Sequence, residues 1–190
     1  MSLLRHLAAS VAAAALAACA MQPFGERVPR AAAFDLVGRV AVNYDGRAFS
    51  SGVRWQHRSE QDEVWLLTPT GQALAHILAS AEGATLTGAD RSQYHAGDAE
   101  SLTRRALGWE LPLARLTWWV RGEIVPGKQT EEMSRDPHGR LVRLRQDGWH
   151  ITLVHPAVND RDGLPQRLEL TRDGHQIRLV IDNWRREDTP

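Results

Sequence analysis

With 190 residues, 23 basic side chains and 23 acidic ones, the chain carries a formal net charge of zero at pH 7. That balance excludes the concentrated basic surface a nucleic-acid partner requires, and a single cysteine excludes an intramolecular disulfide. The length suits one domain with a sizeable core, and seven tryptophans supply either that core or a broad apolar site.

Residues 1–18 have the layout of an export signal. Arg5 lies in a short leading segment, an apolar stretch runs from Leu7 to Leu16, and small residues precede Cys19. The stretch falls short of the ~20 apolar residues that span a bilayer. Leu16-Ala17-Ala18-Cys19 resembles the lipobox of bacterial lipoproteins, in which the thiol receives a diacylglycerol before the signal is removed. A secretory signal with a chance cysteine is the alternative. Against it, the lone cysteine sits where a lipobox needs it, and a bare thiol is a liability in an oxidising compartment. Two or three acyl chains, at ~0.8 kcal/mol per buried methylene, anchor durably where one binds marginally. Ala20 stands where the lipoprotein sorting rule places Asp for inner-membrane retention, which implies the periplasmic face of the outer membrane. Residues 19–33 then read as a lipidated N-terminus and tether, aperiodic and rich in Pro, Gly, Arg and Ala. Cleaving 18 of 190 residues leaves 172, with 22 basic side chains against 23 acidic ones.

Residues 34–190 form the domain, and most of it alternates with a period of two. From Phe34 to Tyr44 the even positions are apolar or glycine; Asp45-Gly46 turns the chain, and Phe49, Val53 and Trp55 share one face of the next strand. Residues 57–62 read as a polar turn. Strands follow at 64–68, 72–79, 84–88 and 93–95, with a loop at Pro69, Thr70 and Gly71. Asp98 to Gly108 has an N-cap aspartate, helical apolar spacing and a terminal glycine. Pro112 to Val120 is a second short helix with Leu113, Leu116 and Val120 on one side. Strands resume at 129–135, 141–146, 149–155, 166–171 and 176–184, with hairpin turns at Asp147-Gly148 and Asp173-Gly174. The expectation is a mainly β fold: a curved, antiparallel, open half-barrel of ten or eleven strands, with the short helices packed in its concave side over an apolar cavity.

No catalytic signature is present: neither Gly-x-Ser-x-Gly, nor a phosphate-cradling glycine loop, nor His-Glu-x-x-His. The eight histidines are scattered among strands and turns and read as satisfied or solvent-facing. Asp160-Arg161-Asp162-Gly163, with Glu169 at the closing position, is a decoy for a calcium loop. Its first ligand would be Val158, and it lies between strands, so it reads as a turn. No enzyme activity, metal or cofactor is expected.

Taken in order, Phe34-x-Leu36-x-Gly38-Arg39-Val40-Ala41-Val42, Ser51-Gly52-Val53-Arg54-Trp55, Leu67-Thr68-Pro69-Thr70-Gly71-Gln72, Leu107-Gly108-Trp109-x-Leu111-Pro112 and Ile181-Asp182-Asn183-Trp184 resemble the LolB family of outer-membrane lipoprotein receptors. Tyr94-x-Ala96-x-Asp98-Ala99-Glu100, Leu116-x-x-Trp119-Val120-x-Gly122 and Leu168-Glu169-Leu170 agree as well. The resemblance implies a monomeric, membrane-anchored receptor. It would take acylated lipoproteins from a soluble, LolA-like periplasmic carrier and deliver them to the outer membrane without covalent chemistry. The inward sets become candidates for acyl contact: Phe49, Val53 and Trp55; Leu113, Leu116, Trp119 and Val120; Trp149, Ile151 and Leu153. Each has an ordinary core role as its alternative. Family members carry an exposed leucine between the proline and glycine of the 69–71 loop, which engages membrane; here that position is Thr70, so the role could fall to Leu67 or Leu74. Two other classes remain: a lipid-anchored structural or assembly subunit that docks a partner, and a lipid-processing enzyme, which the missing catalytic set disfavours.

Overall fold

The computed structural model describes residues 30–157 and 163–185. The signal, Cys19, most of the tether and residues 158–162 of the calcium-like loop lie outside that range.

Eleven strands form one antiparallel sheet: β1 (Phe34–Tyr44), β2 (Arg47–Arg58), β3 (Gln61–Leu67), β4 (Ala73–Ser80), β5 (Gly83–Gly88), β6 (Gln93–Ala96), β7 (Thr130–Arg135), β8 (Leu141–Gln146), β9 (Trp149–Val154), β10 (Arg167–Arg172) and β11 (His175–Arg185). Two helices stand between β6 and β7: α1 (Ala99–Leu107) and α2 (Leu113–Trp119). The spatial order β6-β5-β4-β3-β2-β1-β11-β10-β9-β8-β7 is two meanders joined where β1 pairs with β11. β6 and β7 are not paired with each other, so the sheet is open.

Local chemistry accounts for the hairpins. Asp45-Gly46, Asp147-Gly148 and Asp173-Gly174 all have positive φ at both positions, the turn geometry whose twist matches the flanking strands. The 57–62 segment departs from the polar turn expected of it: only Ser59 and Glu60 turn, both with positive φ, while β2 and β3 run on through His57 and Asp62. Those two side chains are cross-strand partners and both are buried. They occupy the interior face because each satisfies the other, a relation between strands that composition along one strand does not reveal.

One face of the sheet is mainly apolar. Cross-strand pairs such as Val53↔Leu66, Trp55↔Val64, Val64↔Ile77 and Leu170↔Ile151 line up its side chains, and the helices cover that face. Asp98 caps α1 by accepting from Ser101 N at 2.7 Å, and Gly108 ends it at φ 81°. Thr103, fully buried, bonds back to Ala99 O and accepts from Leu111 N at 2.9 Å, fixing the link that leads into α2. Beyond α2, the buried amide of Gln146 accepts from Trp119 Nε1 and from Val125 N, each at 3.0 Å, and donates to Val125 O at 3.1 Å. The helical layer is thus pinned at both ends.

Candidate functional site

Beneath α2 lies a cavity of about 40 Å³ with a wholly apolar wall. The sheet supplies Val40, Val53, Trp55, Val64 and Leu66 from one meander and Leu170, Ile177 and Leu179 from the other. Trp109, Leu111, Leu113 and Leu116 close it from the helical side. The cavity therefore sits at the junction of the two meanders, where β1 and β11 meet.

Of the residues singled out for acyl contact, Val53, Trp55, Leu113 and Leu116 are brought together in this wall. Phe49 is half-buried at one end of the layer, its ring 6.3 Å from that of Trp109. Trp119 and Val120 are fully buried but stand outside the wall, Trp119 being engaged by Gln146. Trp149, Ile151 and Leu153 form the core of the second meander, with the Arg172 guanidinium 4.3 Å over the Trp149 ring. Sequence reasoning passed over Trp109 and Leu111, which lie in the link between the helices, where no period marks a buried face. It also left out Val40, Val64 and Leu66, although their alternation signals inward positions.

Trp55 connects the cavity to a polar string. Its Nε1 donates to Asp62 Oδ1 at 2.7 Å, and His57 Nδ1 lies 2.9 Å from the same oxygen. Phe34 packs edge-on against Trp55 at 4.8 Å and stacks on His57 at 5.5 Å. His57 and Asp62 face an open groove of about 610 Å³ between the helices and the β2–β3 and β4–β5 turns. A smaller recess of about 220 Å³ opens at the opposite end, between the β1–β2 hairpin and the end of α1.

Two ionic clasps tie the helices to the sheet. Glu110, in the link, binds Arg104 of α1 and Arg172 of β10. Burial pushes the Glu110 carboxyl up, but its bonds to both guanidiniums outweigh burial and hold it below the usual carboxylate value. Arg115 of α2 binds Glu100 of α1 and Asp147 of the β8–β9 turn. These side chains are only partly buried, so each pair contributes on the order of 1 kcal/mol or less.

Pro69 and Thr70 are exposed at a tight turn. Thr68 Oγ1 accepts from Gln72 N at 3.0 Å and lies 2.9 Å from Thr70 Oγ1, while Gly71 takes φ 84°. Leu74, 38% exposed, is on the outer face of β4 beside it, and Leu78, equally exposed, is on the same face near the strand's far end. Among the described residues, no group of three or more His, Cys, Asp or Glu could hold a metal ion, and no helix is long and apolar enough to cross a membrane.

Residues 32–184 match the family model described as "Outer membrane lipoprotein LolB". A protein of Nitrosomonas europaea named outer-membrane lipoprotein LolB is 41% identical over 156 residues, covering 81% of this chain and 73% of its own length. One of the same name from an Azoarcus species is 36% identical over 181 residues, covering 93% and 92%. Among solved structures, a LolA superfamily protein from Nitrosomonas europaea aligns over 86% of this chain and 90% of its own, with 12% identity and a TM-score of 0.49.

Proposed function

The chain belongs to the LolB family, and from that premise we propose that it is an outer-membrane lipoprotein receptor that shelters its cargo's acyl chains beneath α2. It is anchored through Cys19 on the periplasmic side, takes acylated lipoproteins from a soluble LolA-like carrier, and inserts them into the outer membrane. Residues 1–18 are the signal, 19–33 the anchor and tether, and 34–190 the receptor domain.

The observation that carries this reading is a wholly apolar cavity closed by a seven-residue helix. At about 40 Å³ the closed cavity is far smaller than ligand pockets of roughly 300–1,000 Å³. Room for a chain comes from lifting α2. Lifting α2 uncovers Leu113, Leu116 and Trp119, all buried in the closed form, and only an apolar occupant that takes their place against the sheet offsets that loss. Opening is therefore favourable only when a chain enters, which keeps the empty receptor shut. Cargo passes from carrier to receptor to bilayer without its chains meeting water. The membrane-facing part of the 69–71 turn, where Thr70 replaces an apolar residue, passes to Leu74 beside it.

The small closed volume is what a partner-docking subunit would also have, and a transfer assay separates the two. A carrier loaded with lipoprotein is mixed with vesicles bearing the full chain. Val53→Phe, which fills the cavity at a cost of roughly 1–3 kcal/mol, and Leu116→Asp should each cut acceptance sharply while thermal unfolding remains cooperative. Normal transfer by folded Val53→Phe would refute the cavity and leave the docking subunit.

A further inference from the structure

Two larger recesses flank the cavity, and each shares one wall residue with it. Leu113 lines both the cavity and the large groove, and Trp109 lines both the cavity and the smaller recess at the other end. The two partitions differ in what must move. Trp109 is 5% exposed, packs near Phe49, and is followed directly by Glu110, which two guanidiniums hold. Leu113 is the first residue of a helix whose N-cap Pro112 makes no side-chain capping bond, and its groove neighbours Ala79, Ala99 and Ala114 are small. Each side carries one ionic clasp, Arg115–Glu100 at the groove and Glu110 beside the recess; the partition itself is one leucine side chain among small neighbours at the groove and a whole indole packed near Phe49 at the recess.

We propose that the groove between α1, α2 and the β2–β3 and β4–β5 turns is the mouth through which the cargo's acyl chain reaches the cavity, with Leu113 as its gate. This rests on the acyl-binding reading above and adds the route. The groove's chemistry fits a lipidated N-terminus. Its alanines and Leu113 offer an apolar floor for the alkyl chain, while Lys128 can donate to ester or peptide carbonyls and Glu60 can accept from a peptide N–H. The Trp55–Asp62–His57 string runs along the same partition, since Trp55 faces the cavity while Asp62 and His57 face the groove. It holds the fixed side of the gate in place as Leu113 swings away.

The experiment uses the full chain anchored in phospholipid vesicles and a palmitoyl peptide with a diazirine at mid-chain, delivered from cyclodextrin and flash cross-linked at increasing times. Ala114 is exposed and lines the groove but not the cavity, whereas Ala48 is exposed and lines the recess. Ala114→Trp should slow cross-linking to cavity residues about tenfold, equivalent to roughly 1.4 kcal/mol on the barrier, and reach the wild-type plateau. Ala48→Trp should react at the wild-type rate, as should Ala114→Ser. Wild-type kinetics in Ala114→Trp, or equal slowing in Ala48→Trp, overturns the mouth while leaving the cavity intact. No cavity cross-link in the wild-type chain overturns the acyl-binding reading itself and the mouth with it.

Discussion

At Gly38 a methyl group would sit 2.1 Å from the carbonyl oxygen of Val180, because β1 shifts register against β11 between Val37 and Gly38. Gly38→Ala should therefore destabilise by roughly 2–4 kcal/mol, as substitutions that force a side chain into occupied space do. A lower urea midpoint with unchanged slope is the expected result, and wild-type stability would contradict the close approach. In the sequence Gly38 fits the alternation as a placeholder for an apolar residue, but the neighbour that forbids a side chain is 142 residues away. The Trp55–Asp62 bond is similar in kind. Trp55→Phe keeps most of the apolar surface but leaves Asp62, 7% exposed, with one partner fewer, so unfolding should become easier by about 1–2 kcal/mol. The alternation that places Trp55 inward is visible along β2, whereas the reason His57 and Asp62 can follow it inward is visible only across the strand pair.

The helical layer behaves as one element. α1 was readable because Asp98, Gly108 and the apolar spacing between them act locally. The closing of α2 over the sheet was not, since Gln146 and Asp147 reach it, and Arg172 reaches the link before it, from distant parts of the chain. Glu110 makes this layer sensitive to acid. Its carboxyl is held below the ordinary 4.5, so the native state binds fewer protons than the unfolded chain near that pH. The clasp's contribution is fully present above about pH 4.5 and is lost as pH falls through the lowered native value. Stability measured by urea unfolding between pH 6 and pH 3 should thus fall less steeply in Glu110→Gln than in wild type. Parallel pH profiles would remove Glu110 from the clasp. Asp136, in the β7–β8 turn, is held at about 2. Burial pushes it up, and the side-chain bond from Arg140 with backbone bonds from Arg140 and His138 more than offsets that. Its contribution is lost only between its ordinary 3.8 and about 2, so this hairpin still has it when the pH has just passed below 3.8.

At the scale of the whole molecule, an open sheet of two meanders must have its apolar face covered, and two short helices cover it with almost nothing to spare. Strand alternation and three Asp-Gly turns made the antiparallel, mainly β architecture readable from the chain alone. The β1–β11 pairing that sets the spatial order was not readable in that way. Neither was the cavity's size, which is a small difference between large packed volumes. Trp55 and Trp109 line that cavity, whereas Trp65, Trp118, Trp119, Trp149 and Trp184 do not, Trp118 lining the groove instead. Binding of a palmitoyl peptide brominated along the middle of its chain, followed by tryptophan fluorescence, tests the central claim most directly. Quenching should appear in the wild-type chain and largely vanish in Trp55→Phe/Trp109→Phe, because bromine quenches only on contact. Absence of quenching, or equal quenching in the double variant, would mean that the chain does not enter the space beneath α2.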